Sequence, residues 1–89
     1  MSYSPITPGF FVMGGNGMPV TEESRQGNYA LVFLQRKDAL RYCQQVSEVR
    51  QVSKKDYRIS AMPIHQIQRL LSPARVRVCV IDKWDAVVA

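Results

Sequence analysis

Asn28-Tyr29-Ala30-Leu31-Val32-Phe33-Leu34 is the most strongly strand-forming run in the chain. Aromatic and β-branched side chains dominate it and both alternating faces are apolar, the pattern of a central strand rather than of an edge with one wet face. From Arg36 the period changes. Ala39, Tyr42, Cys43, Val46 and Val49 recur at three- and four-residue steps, which predicts an amphipathic helix with Lys37, Arg41, Gln45 and Glu48 on its solvated side. Gln51 to Asp56 breaks that pattern, and its Ser53-Lys54-Lys55 reads as a solvated connection.

Tyr57 to Met62 alternates, with Tyr57, Ile59 and Ala61 opposite Arg58, Ser60 and Met62, so a half-buried strand is expected. Pro63 stops it and suits the first position of a second helix, because its missing N–H would have had no partner there. Ile64, Ile67, Leu70 and Leu71 form that helix's stripe, and Ser72-Pro73 ends it. Arg75 to Ile81 alternates again, Val76, Val78 and Val80 against Arg75, Arg77, Cys79 and Ile81, and reads as the last strand.

Upstream, Pro5 and Pro8 mark an extended lead-in, and Phe10 to Met13 reads as a short strand. Gly14-Gly15-Asn16-Gly17 supplies the positive backbone angles of a tight turn, and Met18-Pro19-Val20 is the expected return strand, held to an edge by Pro19. Thr21 to Gly27 is polar and reads as a loop. The resulting β-β-β-α-β-α-β order predicts an α+β, two-layer fold: a mixed four- to five-stranded sheet with both helices on one face. The 89 residues are expected to make a single domain, with 1–8 as lead-in, 9–82 as globular core and 83–89 as tail.

Composition narrows the function classes. With 46% hydrophobic and 21% charged residues, the chain has the makeup of an ordinary globule. A domain this small buries roughly 60–65% of its unfolded surface, which leaves little room for an enclosed catalytic cavity. No window approaches the roughly 20 apolar residues of a membrane span, and the start lacks a signal peptide's basic and apolar regions, so a cytoplasmic protein is expected. Cys43 and Cys79 lack the paired spacing of a zinc or oxidoreductase site and read as reduced, buried core thiols.

The remaining chemistry-bearing residues are dispersed. His65 is the single histidine and reads as a surface residue, with no Cys, Asp or Glu within helical reach. The carboxylates form no supported acid/base pair. The glycine-rich turn leads to Met18-Pro19 rather than to a helix carrying Gly-Lys-Ser/Thr, so it reads as a hairpin and not a phosphate loop. The expectation is a non-enzyme with no metal, no cofactor and no small-molecule substrate.

Twelve Lys plus Arg against seven Asp plus Glu give a net charge of +5. Arg36, Lys37, Arg41, Arg50, Lys54, Lys55 and Arg58 concentrate that charge around the first helix and its exit. These features predict a non-catalytic protein-binding or regulatory module. It would dock another protein, or a second copy of itself, through a sheet face, a sheet edge or the basic helix. The expected binding residues are Lys37, Arg41, Lys54, Lys55, Arg58, Arg75 and Arg77, with Tyr57 and Trp84 as aromatic anchors. The alternative is nucleic-acid binding through the same cations.

Two resemblances bear on this. Gly27 to Leu34 followed by Asp38-Ala39 resembles the central strand and following helix of an RRM, which would make Tyr29 and Phe33 base-stacking residues. An RRM, however, places a helix and a strand between that motif and its first strand, whereas about fifteen residues separate Phe11-Val12 from Gly27. Over residues 10–82 the chain resembles the SseB-type (enhanced serine sensitivity) amino-terminal domain. The resemblance rests on the Gly17-Met18-Pro19-Val20 hairpin, Val32-Phe33 leading into the Arg36 to Val46 helix, Met62-Pro63-Ile64 opening the helix to Leu71, and the closing strand Val76 to Ile81. It departs in having Leu34-Gln35-Arg36 where such domains often carry Thr-Ser, and in lacking the Asn-Pro after the last strand. It implies a small bacterial module without established catalytic residues.

Overall fold

The computed structural model describes residues 4, 6–50 and 56–84. The aromatic and β-branched run ending at Phe33 forms β3 (Gly27–Phe33), and its neighbours follow from a second strand that is also apolar on both faces, β1 (Pro8–Met13). The other elements are β2 (Glu22–Ser24), α1 (Arg36–Arg50), β4 (Arg58–Pro63), α2 (Ile64–Leu71), a 3-10 turn (Ser72–Ala74) and β5 (Arg77–Ile81). The α+β class and the β-β-β-α-β-α-β order are as expected.

Register fixes how the strands sit. Tyr29 faces both Glu22 and Arg77, and Phe33 faces both Phe10 and Ile81. A strand has only two edges, so β1 and β2 share one edge of β3 while β5 runs along the other. β1 in turn pairs β4 from Pro8↔Pro63 to Met13↔Arg58. Across its width the sheet therefore reads β4, β1, β3, β5, with β2 beside the first residues of β3. It is mixed, because β3 and β5 are parallel and the other pairs antiparallel.

Alternation along β1 and β3 divides the core in two. Phe11, Ala30 and Val32 pack under Ile64, Ile67 and Leu71 of α2. Val12 and Phe33 point the other way and pack under Ala39, Tyr42 and Val46 of α1. The helices thus cover opposite faces, which corrects the two-layer placement with both on one side. The physical reason lies in the strands themselves: two neighbouring strands with apolar side chains on both faces require cover on both faces.

Close cover on the α2 side depends on Gly9. A Cβ there would overlap the Val32 side chain and press Ile64 and Ile67 at 3.2 and 3.3 Å. α2 has no side-chain cap at Pro63, and its first N–H is instead satisfied by the Thr7 carbonyl at 3.1 Å. The Thr7 carbonyl, just before β1, therefore holds the start of α2.

Three local expectations change. The return after the glycine turn is a single bridge, Met13↔Pro19, with the Val20 N–H donating to the Val12 carbonyl at 2.8 Å; Pro19 lacks the N–H a longer ladder needs. The second strand is instead β2, in the stretch expected as loop. It folds back through Arg25-Gln26, with the Ser24 hydroxyl donating to the Gly27 carbonyl at 2.8 Å and Gly27 at φ +115°. Cys79 is exposed rather than buried and Cys43 only half-buried; neither forms a disulfide. Leu70, expected on the α2 stripe, is exposed.

Candidate functional site

α1 packs over the middle of its sheet face and leaves a groove on each flank. The flank toward β5 is aromatic. Phe33, Tyr42 and Trp84 form a cluster with ring centroids 5.4–5.6 Å apart, the Tyr42–Trp84 pair edge-on at 84°. Such tilted and T-shaped pairs let the positive ring edge meet the negative ring face. Trp84, expected in the tail and as an aromatic anchor, is half-buried and packs against the core.

Buried polar groups hold this cluster in place. Asp38, only 2% exposed in the first turn of α1, accepts the Trp84 backbone N–H at 3.2 Å and lies 3.9 Å from Arg41. Its carboxylate also sits at the electropositive end of the helix, which favours it. The Tyr42 hydroxyl donates to a Glu22 carboxylate oxygen. Burial foremost, then that hydrogen bond and the nearby negative charge, push the Tyr42 phenol well above its ordinary range. Arg50 donates to the Thr21 carbonyl at 3.0 Å. Around these groups lies a cleft of about 270 Å³, lined in part by Tyr29, Leu31, Val49, Arg50 and Trp84. Tyr29 and Leu31 also line a shallower space of about 520 Å³ that runs to Arg77 and Cys79 on β5.

The flank toward β4 differs in chemistry. A groove of about 390 Å³ is lined by Arg36, Leu40, Cys43, Gln44, Tyr57, Arg58 and Ile59. Leu40 is 44% exposed, while Tyr57 and Ile59 are half-buried and belong to the α1-side core. No carboxylate lines it; Asp56 lies in the adjoining space with Arg58.

The expected binding residues do not converge on one patch. Tyr57 and Arg36 line the groove on the β4 flank, Arg58 stands across from Met13 on the α2 face of β4, and Trp84 and Arg77 lie on the β5 flank. Lys37 and Arg41 are exposed on α1, Arg41 beside Asp38. Arg75 occupies a left-handed turn after the 3-10 segment, at φ 58°. Lys54 and Lys55 lie outside the described residues. Leu40 was not singled out from sequence; Arg36 and Tyr29 were noted but not among the expected binding residues, and Val49, expected on the α1 stripe, is 75% exposed. Leu40 carried a usable signal, since it is a leucine one step off the predicted stripe. Among the described residues, no three His, Cys, Asp or Glu side chains gather as metal ligands, and no helix is long and apolar enough to cross a membrane.

With this geometry in hand, comparison with known proteins gives fold likeness alone. No family model matches the chain, and no curated protein does. Among solved structures the chain is similar to Tic22 from Plasmodium falciparum, with a TM-score of 0.71 and 13% identity over 89% of this chain and 44% of that one. It is also similar to Anabaena Tic22 (protein transport), with a TM-score of 0.56 and 15% identity over 86% of this chain and 42% of that one. The chain thus spans less than half the length of either solved structure.

Proposed function

We propose that the chain is a non-catalytic protein-docking module that works through the α1 face of its sheet. One observation carries this reading: apolar side chains, Leu40 on one flank of α1 and Val49 on the other, remain exposed in grooves beside outer strands. Isolated exposed apolar residues need no explanation, but two grooves lined by aromatic and aliphatic side chains next to strands with an open edge are what a partner chain can cover. The SseB-type resemblance implies a small module without established catalytic residues, and the Anabaena neighbour carries a protein-transport description. In a cytoplasmic setting both thiols stay reduced, and a second copy of this chain is one form the partner takes.

The nucleic-acid alternative needs a continuous cationic strip. Two of the expected cations lie instead at opposite edges of the sheet, Arg58 on β4 and Arg77 on β5. A tagged pull-down from native lysate, split into nuclease-treated and untreated halves, tests the reading. The expected result is a protein band that survives nuclease and is lost from a Val49→Asp, Leu40→Asp variant whose urea midpoint is unchanged. Bands that vanish with nuclease, or that the variant retains, overturn it.

A further inference from the structure

We infer that the outer edge of β5 pairs, antiparallel, with the same edge of a second copy of this chain, on a two-fold axis at Cys79. Neither of the two grooves flanking α1 is lined by β5, so this dimer does not depend on the docking reading. The sheet ends in two outer strands, β4 and β5, and among the described residues neither has a partner on its far side. β4 is guarded, with Arg58 and Pro63 at its ends. β5 is not. Its Val78-Cys79-Val80-Ile81 carries no charge and no proline, Cys79 is exposed, and the other three side chains are only half-buried. Natural sheets guard their edges because unpaired N–H and C=O groups beside apolar side chains invite another strand.

The backbone selects both the copy and its register. The Ile81 carbonyl accepts the Leu34 N–H at 3.0 Å, so Arg77, Cys79 and Ile81 turn their backbone groups toward β3, while Val78 and Val80 turn theirs outward. An axis at Cys79 sets Val78 against Val80 of the second copy, twice over, and the hydrogen bonds exchanged satisfy every outward N–H and C=O of the strand. The side chains agree. Val78 and Val80 pack at the rim of the α2-side core, so their pairing joins the cores of two copies. On the other face Arg77, the only charge in the strand, meets Ile81 of the second copy. Neighbouring centres fail. At Arg77 two guanidinium groups would face each other, and at Val80 the axis would set Val78 against Asp82. At Val78 the ladder would call on the Val76 N–H, which already donates to the Leu71 carbonyl at 3.2 Å. A strand that satisfies itself in this way needs no foreign sequence, and two-fold pairing of like chains is the commonest soluble oligomer. Five residues a side are few beside the roughly 20–30 of a standard interface, so the dimer is a weak one.

The test is sedimentation equilibrium of the full chain under reducing conditions, from about 10 µM to about 1 mM, a span that brackets a weak association. The expected result is a monomer–dimer equilibrium that Val80→Pro weakens at least about ten-fold with little change in the urea midpoint, because proline removes an N–H that points away from β3. Should Val80→Pro fail to fold, Val78→Lys sets a charge at the same edge and replaces it. The register has its own readout. Cys79 falls in a non-hydrogen-bonded pair, whose Cα atoms lie about 4.5 Å apart and within disulfide reach. In a Cys43→Ala background, diamide should link two copies through Cys79, taking up the two protons and two electrons that the thiols lose as the S–S bond forms. It should link Cys79→Ser, Val80→Cys at least about ten-fold less, since position 80 then faces Val78 rather than its own copy. A monomer throughout, a dimer that the edge variants leave intact, or equal linking through position 80 overturns the inference. So does a dimer abolished by Val49→Asp, Leu40→Asp, which would seat the second copy against α1 and leave the docking reading standing by itself.

Discussion

The two flanks of α1 are built from the same kinds of residue and end up with opposite surfaces. On the β5 side two acids, Asp38 and Glu22, are turned inward to the Trp84 N–H and the Tyr42 hydroxyl, and the aromatic cluster packs over them. On the β4 side no acid is among the described residues lining the groove, and Arg36 stands exposed there beside Leu40. Polar groups spent on internal hydrogen bonds fix structure, while the same groups left unpaired at the surface are available to a partner. One flank is therefore expected to carry stability and the other recognition.

The sharpest way to break that division is Trp84→Ala. Trp84 touches both Phe33 and Tyr42, and its removal should cost about 3 kcal/mol in urea unfolding, near the lower end of the range for losing a large aromatic. A loss under about 1 kcal/mol would place Trp84 among the surface residues and dissolve the contrast.

Tyr42→Phe removes the donor to Glu22 and should cost about 1–2 kcal/mol at neutral pH, because a half-buried carboxylate loses the hydrogen bond of a buried phenol. It also carries a pH signature. The folded-state pKa of Tyr42 is raised above the unfolded value of 10.0, so the stability it contributes is fully present below that pH and is lost as pH rises beyond it toward the folded value. Unfolding free energy measured from pH 9 to 11 should fall more steeply for the wild type than for Tyr42→Phe. Parallel curves would mean that the phenol is not held protonated.

The smallest effect is expected on the other flank. Arg36→Ala and Leu40→Ser should each change stability by no more than about 0.5 kcal/mol, since both side chains are exposed and neither has a buried partner. A cost above about 1.5 kcal/mol in the same urea assay would show that this groove too is structural.

Much of this was legible in the sequence. Gly27 to Phe33 announced a central strand because both its faces are apolar, and α1 announced itself by the spacing of Ala39, Tyr42 and Val46. β2 was not legible, because Glu22-Glu23-Ser24 has no apolar side chain and pairs only through its backbone beside β3. The exposure of Cys79 was hidden for a related reason. Alternation gives the two faces of β5 but not that α1 stops short of covering the one on which Cys79 lies.

The site was less legible than the fold. Charge counting found Arg58 and Arg77 and left open which surface they share, and only the strand order puts them at opposite edges. Periodicity, breakers and composition, all local, determined by themselves the class, the element order, the basic first helix and the apolar stripe of α2. Tertiary structure decided which face each helix covers, that Trp84 packs against the core, and that Asp38 and Glu22 turn inward. Those outcomes depend on pairings between residues far apart in the chain, as Asp38 with Trp84 and Tyr42 with Glu22, and no local pattern encodes such pairings.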